Sequence, residues 1–181
     1  TAANGIILAE GFQVKNTTFS SEDETWTQPW GENKKNRNHY NEMAVCLTNE
    51  DQVQLTLRFR VFDDGIGFRY EYTVPTVDSL LITDELTTFR FHRDGTSWSI
   101  PASAETYELL YQQQPISEVE TANTPFTFKT ADGVYGSIHE AALYDFPEMT
   151  LKQIGHYTLK AELAPWPDGI KARKGNHFTT S

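Results

Sequence analysis

One carboxylate in this sequence stands among apolar residues, and it is the first candidate for chemistry. If the segment 133–143 is a strand, Val134, Gly136 and Ile138 share one face, and Glu140 falls in phase with them. An unpaired charge is costly to bury, so such a glutamate is normally ion-paired, hydrogen-bonded, metal-bound or at the open end of its strand. The pattern leaves two interpretations: a structural one, including an ion pair with an arginine such as Arg69, and a metal or ligand contact.

A second polar group, His39-Tyr40-Asn41-Glu42, directly precedes a predicted strand. Such side chains bind sugar hydroxyls or fix the backbone of a loop. Trp26 and Trp30 lie upstream, and exposed indole rings either stack on a sugar face or cover the edge of a core. The candidate substrate or interface residues are therefore His39, Asn41, Glu42, Trp26 and Trp30, with loop packing as the alternative.

The elements that must position these residues are strands. Residues 53–61 alternate between apolar and polar side chains, as do residues 66–74, and Asp63-Asp64-Gly65 between them is typical of a hairpin turn. Asp63 and Asp64 are therefore interpreted as turn residues and not as a catalytic pair. His92 and His139 have no second ligand at metal-binding spacing, which favours structural roles.

Further strands are predicted downstream, and no segment has the pattern of an amphipathic helix. The predicted ranges are Glu85–His92, Thr106–Gln112, Phe126–Thr130, Gly133–Leu143, Met149–Ile154 and Tyr157–Ala164. Short strands with Asp-Gly and Pro turns and no βαβ spacing indicate an all-β protein, a β-sandwich of antiparallel sheets. We predict one domain over residues 1–164, a linker-like tail over 165–181, and a long surface loop over residues 16–40.

Charge and hydropathy exclude two classes of partner. The formal net charge is −10, so nucleic acid and anionic membrane surfaces are repelled. No run of about 18 apolar residues is present, as a membrane-spanning helix would need. We expect neither nucleic acid nor a membrane as a partner.

Four segments in this order resemble the N-terminal domain of glycoside hydrolase family 97, a family of bacterial α-glucosidases and α-galactosidases. They are Trp30-Gly31-Glu32 with His39-Tyr40-Asn41-Glu42, then residues 62–71 (FDDGIGFRYE), 131–135 (ADGVY) and 138–146 (IHEAALYDF). The resemblance covers residues 26–149. It implies a β-sandwich of the galactose-mutarotase-like kind, and it leaves open whether the last sandwich strands are absent from this chain.

The resemblance also implies that catalysis lies elsewhere in the protein. In the family, a (β/α)₈ barrel follows the sandwich and supplies the catalytic carboxylates, and a barrel needs about 250 residues, more than this chain holds. The full-length protein is then an exo-acting glycosidase of α-linked oligosaccharides, while this chain is inactive alone. By motif position, Glu140 is the residue that the sandwich contributes to an active-site calcium ion shared with the barrel. One carboxylate does not hold calcium tightly by itself.

Two other functions remain open. One is a free-standing carbohydrate-binding module that uses the exposed aromatic residues, and the other is a mutarotase-like enzyme that uses a histidine and a carboxylate. The family resemblance further implies a periplasmic or secreted location.

Overall fold

The computed structural model describes residues 8–75, 80–103, 105–144, 146–164, 170–172 and 177–179. These residues form antiparallel β-structure with a single 3₁₀ turn, Ile116–Glu118, and contain no α-helix, so none of them belongs to a helix able to cross a membrane. The predicted all-β class is confirmed. The strands are β1 (Gln13–Thr27), β2 (Lys35–Thr48), β3 (Gln54–Val61), β4 (Ile66–Thr73), β5 (Leu80–Ile82), β6 (Thr88–Arg90), β7 (Thr96–Ser99), β8 (Gln112–Pro115), β9 (Thr121–Asn123), β10 (Phe126–Lys129), β11 (Tyr135–Ile138), β12 (Met149–Gln153), β13 (Thr158–Leu163), β14 (Ile170–Ala172) and β15 (His177–Thr179).

The chain divides into two compact units. One is built from residues 10–79 and 173–180, and the other from residues 80–172 with the N-terminal nine residues and Ser181. The tail that the sequence predicts to be linker-like, 165–181, contains two strands. β14 pairs with β5, and β15 pairs with β4. Strands of three residues are too short to show alternation in a sequence.

The 10–79 unit contains one five-stranded sheet in the order β1-β2-β3-β4-β15. Its centre is the hairpin of β3 and β4. The alternation of apolar residues predicts the start of β3 and the end of β4 to within one residue. The turn closes with a hydrogen bond from the Phe62 amide to the Gly65 carbonyl, 2.8 Å long. The turn interpretation of Asp63 and Asp64 is thereby confirmed.

The predicted surface loop over residues 16–40 is wrong. Most of it forms β1 and the start of β2, two long strands that pair from Gln13 and Thr48 to Thr27 and Lys35. Every residue of β1 is exposed. Strand prediction depends on apolar residues that recur on a buried face, and a strand without a buried face lacks that signal.

The 80–172 unit contains two four-stranded sheets, ordered β11-β10-β7-β8 and β6-β13-β12-β9. Side chains from both sheets form one core, with Phe126 from β10 and Leu151 and Leu159 from β12 and β13, all fully buried. Within this unit, two antiparallel sheets therefore enclose a common apolar interior, as expected of a sandwich.

The downstream strand predictions succeed where aromatic and β-branched residues are dense. β10, β12 and β13 lie within the predicted ranges, whereas β6 is only the central part of its range. The strand predicted over Thr106–Gln112 is wrong, because β8 begins at Gln112 and the residues before it are irregular. The strand predicted over Gly133–Leu143 is limited to β11.

Candidate functional site

Glu140 lies two residues beyond the end of β11, in the connection to β12. The inward face of β11 is correctly predicted for Gly136 and Ile138, which are half-buried, but Val134 lies before the strand and is 63% exposed. Ile138 packs against the apolar core of the 80–172 unit. Glu140 itself is half-buried, so it continues the inward phase after the strand has ended.

Both carboxylate oxygens of Glu140 accept a hydrogen bond from a fixed donor. The Met149 amide at the start of β12 donates to Oε1 at 2.6 Å, and the Thr124 hydroxyl donates to Oε2 at 3.2 Å. Thr124 follows β9, so three elements hold this carboxylate. Arg69, the ion-pair partner considered from the sequence, binds Glu71 at 2.6 Å.

A second carboxylate and a phenol lie next to this glutamate. The Tyr107 hydroxyl donates a hydrogen bond to Glu148 Oε2. This bond, together with burial and the negative charges of Glu148 and Glu140, raises the pKa of Tyr107 to about 12. Because the Glu140 charge acts on Tyr107, the two carboxylates and the phenol form one polar cluster.

This cluster supplies fewer oxygen ligands than calcium requires. Calcium takes six to eight oxygens at about 2.3–2.6 Å, and the part of the chain that the structure describes contains no group of three or more acidic, histidine or cysteine side chains arranged to hold a metal. Glu140 and Glu148 are carboxylates of the right chemical type. Further oxygen ligands are needed to complete a calcium site.

Exposed apolar side chains are frequent in the two segments that lead to the cluster. In residues 105–111, Leu110 is 88% exposed, and in the connection after Glu140, Tyr144 is 89% exposed. The nearby Phe146 and Pro147 are buried and anchor that connection. Large exposed apolar residues beside a polar cluster are typical of a surface that meets another part of a protein.

The four residues His39 to Glu42 lie on β2 and not in a loop before it. Successive strand residues point to opposite faces, so His39 and Asn41 share one face while Tyr40 and Glu42 share the other. His39 Nδ1 lies 3.8 Å from Asp63 Oδ2, and the Tyr40 ring lies 4.3 Å below the Arg60 guanidinium. The structure thus does not bring these four side chains together as one site.

Glu42 belongs to a charged network that the sequence analysis missed. Arg58 on β3 binds Glu42 on one side and, at 2.8 Å, Glu71 on the other. Arg60 also binds Glu42, at 2.7 Å, and Arg69 binds Glu71. Both glutamate side chains are only 10–12% exposed. The sequence signal for this network was the presence of glutamate and arginine at alternate positions of adjacent strands.

The arginines favour the ionised form of both glutamates. Burial alone would raise the pKa of Glu42, but hydrogen bonds from Arg60 and Arg58 hold it below the ordinary value of 4.5. The hydrogen bond from Arg58 is the largest cause that lowers the pKa of Glu71. The network therefore has a structural role: its ion pairs link β2, β3 and β4.

Trp26 and Trp30 lie at the far end of the β1–β2 pair. Trp26 is 50% exposed and Trp30 is 82% exposed. Thr27, Gln28, Pro29, Trp30, Gly31 and Lys34 line a shallow pocket of about 560 Å³ around the turn. Both tryptophans lie beyond the part of β2 that pairs with β3, which begins at Asn41. The structure gives no contact between either tryptophan and Glu42.

Comparison with known proteins identifies the relatives of this chain. The family model described as Glycosyl-hydrolase 97 N-terminal matches residues 2–180, nearly the whole sequence. A retaining alpha-galactosidase of Bacteroides thetaiotaomicron is 25% identical over 183 residues, which cover 92% of this chain and 27% of that protein.

Solved structures show the same relationship. A glycoside hydrolase family 97 enzyme from Pseudoalteromonas sp. strain K8, in complex with acarbose, superimposes with a TM-score of 0.88 at 36% identity over 95% of this chain. The same enzyme has been solved as an E480Q variant with panose. A beta-arabinopyranosidase at 19% identity and a TM-score of 0.78 shares the fold. This chain spans 27% of the length of the Pseudoalteromonas enzyme.

Proposed function

The chain belongs to the glycosyl-hydrolase 97 N-terminal family, and from that premise we propose that it is the non-catalytic N-terminal part of an exo-acting α-glycoside hydrolase. The relatives are glycoside hydrolases whose remaining length, almost three quarters, is not represented here. In this proposal the catalytic carboxylates belong to a (β/α)₈ barrel in that remaining part. The substrate of the whole enzyme is an α-linked oligosaccharide, and the enzyme acts in the periplasm or outside the cell.

We further propose that Glu140 contributes one ligand to a calcium ion completed by the barrel. The observation that supports this is the half-buried Glu140 carboxylate, held at both oxygens by Met149 and Thr124. Preorganised carboxylates lose little conformational freedom on binding a cation. The ion would supply positive charge at the junction with the barrel, and Glu148 would add negative charge beside it.

The test is calcium binding by the intact enzyme. Glu140→Gln keeps the shape of the side chain and an oxygen that accepts hydrogen bonds, but it removes the charge. Because calcium prefers charged oxygen ligands, we expect the calcium dissociation constant from isothermal titration calorimetry to rise at least tenfold.

The matched control is Glu162→Gln. Glu162 is 42% exposed and pairs with Lys152 on the surface, so this variant also loses one negative charge without touching the cluster. Its calcium affinity is expected to equal that of the wild type. Equal affinities for all three proteins would overturn the role of Glu140.

Carbohydrate binding by the tryptophans is the second candidate. The 82% exposure of Trp30 beside the shallow pocket favours it, because the face of a sugar ring can stack on an exposed aromatic ring. We expect Trp30→Ala to abolish binding of maltooligosaccharides by this chain if the chain is a binding module, with Trp98→Phe, in β7, as the control. No calorimetric heat with the wild-type chain would reject this candidate.

A further inference from the structure

Four Asp-Gly pairs occur in the sequence, and this pair of residues has a reactivity of its own. They are Asp64-Gly65, Asp94-Gly95, Asp132-Gly133 and Asp168-Gly169, of which the last lies outside the described residues. The amide nitrogen of a glycine can attack Cγ of the preceding aspartate, because glycine has no Cβ atom that restricts its backbone. The three described pairs differ in whether their surroundings permit this attack.

Asp94-Gly95 is held in place by hydrogen bonds at the carboxylate. Asp94 Oδ1 accepts the Gly95 amide at 2.9 Å and the Ser117 amide at 3.1 Å, and Oδ2 accepts the Ser117 hydroxyl. The Gly95 backbone is also closely packed, since a Cβ atom added there would collide with the Lys129 carbonyl oxygen. Attack on Cγ of Asp94 would require these hydrogen bonds to break, so this pair is protected.

Asp132-Gly133 is exposed, but its attacking amide is engaged. The Asp132 side chain is 73% exposed, and its ion pair with Arg93, at 3.8 Å, restrains it little. The Gly133 amide, however, donates a hydrogen bond to the Thr130 carbonyl at 2.9 Å, in a turn that is also closed by a bond of 2.8 Å from the Thr130 amide to the Val134 carbonyl. Releasing the Gly133 amide for attack costs the free energy of its hydrogen bond.

Asp64-Gly65 has neither form of protection. Both residues are exposed, in the turn between β3 and β4. The turn is closed through the Gly65 carbonyl, which accepts the Phe62 amide at 2.8 Å. Within the part of the chain that the structure describes, no group accepts a hydrogen bond from the Gly65 amide or binds the Asp64 carboxylate. Neither reacting group therefore has to break a hydrogen bond within these residues.

We propose that Asp64-Gly65 is a site of spontaneous isoaspartate formation. The Gly65 nitrogen forms a bond to Cγ of the protonated Asp64 carboxyl, the Cγ–OH bond breaks, and the hydroxyl leaves with the amide proton as water. Water then adds to either carbonyl of the resulting five-membered succinimide ring and opens it. Opening at the α-carbonyl leaves the chain running through the β-carboxyl group, which is isoaspartate.

The modification has a structural consequence for the hairpin. An isoaspartate adds one methylene group to the backbone of the turn, and the length of a hairpin turn fixes the register of its strands. The pair closest to this turn is Val61 and Ile66. We expect the longer turn to disturb this pair before any other pair of β3 and β4.

Peptide mapping of the intact protein tests the proposal. Trypsin places the three described pairs in separate peptides, 61–69, 94–129 and 130–152, and electron-transfer mass spectrometry distinguishes isoaspartate from aspartate in each. After prolonged incubation near neutral pH, we expect about fivefold more isoaspartate at Asp64 than at Asp132, since only the latter reaction must first break a hydrogen bond of the glycine amide. Asp64→Glu, which would need a six-membered ring, should remove the signal from peptide 61–69.

Incubation in concentrated urea is the control for effects of sequence alone. In the unfolded chain the hydrogen bond of the Gly133 amide is lost, so Asp64 and Asp132 should react at similar rates. Equal isoaspartate at the two positions in the folded protein would overturn the proposal, as would an equally large difference in urea. The comparison uses the wild-type protein, so it does not depend on the folding of any variant, and its outcome is independent of glycosidase activity and calcium binding.

Discussion

At the scale of single residues, Gly136 shows how closely the core of the 80–172 unit is packed. A Cβ atom added to Gly136 would lie 2.5 Å from Cζ of Phe128. Phe128 also contacts Phe91, at a ring-centroid distance of 4.8 Å, so its ring has little room to move. The absence of a side chain at Gly136 is what allows β11 to pack beside this ring.

We predict that Gly136→Ala destabilises the protein by about 1–3 kcal/mol, the usual cost of forcing an extra group into a packed interior. Urea unfolding at neutral pH measures this. Gly67→Ala in β4 is the control, because no atom lies within 4 Å of its added Cβ. For that variant we expect no loss of stability, since alanine is favoured over glycine in a strand by about 0.5–1 kcal/mol. Equal destabilisation of both variants would contradict this account.

Glu140 shows what residue patterns can and cannot predict. Its phase with Gly136 and Ile138 correctly indicated a side chain that points inward. The partners of its carboxylate, Thr124 and Met149, come from two other elements. No spacing rule relates them to Glu140, because sheet topology brings them together.

At the scale of elements, the charged network joins three neighbouring strands through alternating charges. Arg58 and Arg69 lie directly opposite each other in register, an arrangement that is repulsive by itself. Glu71 binds both guanidinium groups. The sheet therefore depends on its glutamates being ionised.

The network predicts an acid-sensitive stability. Since the folded-state pKa values of Glu42 and Glu71 lie below 4.5, their contribution is complete above that pH and is lost as the pH falls through the lowered values. We expect the free energy of unfolding to fall by about 1–3 kcal/mol between pH 5 and pH 3 from these two groups. Urea unfolding as a function of pH measures the fall, and Glu71→Gln should make it shallower.

Asp23→Asn supplies the comparison for this prediction. Asp23 forms a bidentate ion pair with Arg37 on the same sheet, but both side chains are more than half exposed. Solvent screens such pairs and leaves them little effect on stability. The pH dependence of this variant should match the wild type; an equally shallow profile for Asp23→Asn and Glu71→Gln would argue against the network.

The strands that the sequence predicts best are those whose two faces differ most in polarity. β3 and β4 carry apolar residues on one face and charges on the other, and their bounds were predicted within one residue. β1 has no buried residue and β14 and β15 have three residues each. Their positions are determined by pairing with other strands, which a local pattern does not contain.

At the scale of the whole molecule, the chain has the content of a supporting domain. Glycosidic hydrolysis uses two carboxyl groups about 5–9.5 Å apart on either side of one bond. The carboxylates of Glu140 and Glu148 accept hydrogen bonds from Thr124, Met149 and Tyr107.

We predict that the 181-residue chain alone hydrolyses neither p-nitrophenyl α-glucoside nor p-nitrophenyl α-galactoside above the rate of the buffer blank. Release of p-nitrophenol over several hours measures this, with the intact enzyme as the positive control. Turnover by the chain that Glu148→Gln abolishes would show that the catalytic group lies within these residues.

The β1–β2 pair has a mechanical consequence. β3 pairs with β2 only from Asn41 onward. The six residue pairs from Glu22 and Tyr40 to Thr27 and Lys35 therefore form a two-stranded extension about 20 Å long at about 3.3 Å per residue. Two-stranded ribbons twist more readily than wide sheets. A change of about 10° in the direction of this two-stranded extension at its junction with β3 would displace Trp30 by about 3–4 Å. Substitutions near Asn41 can therefore move the indole ring of Trp30 without contacting it.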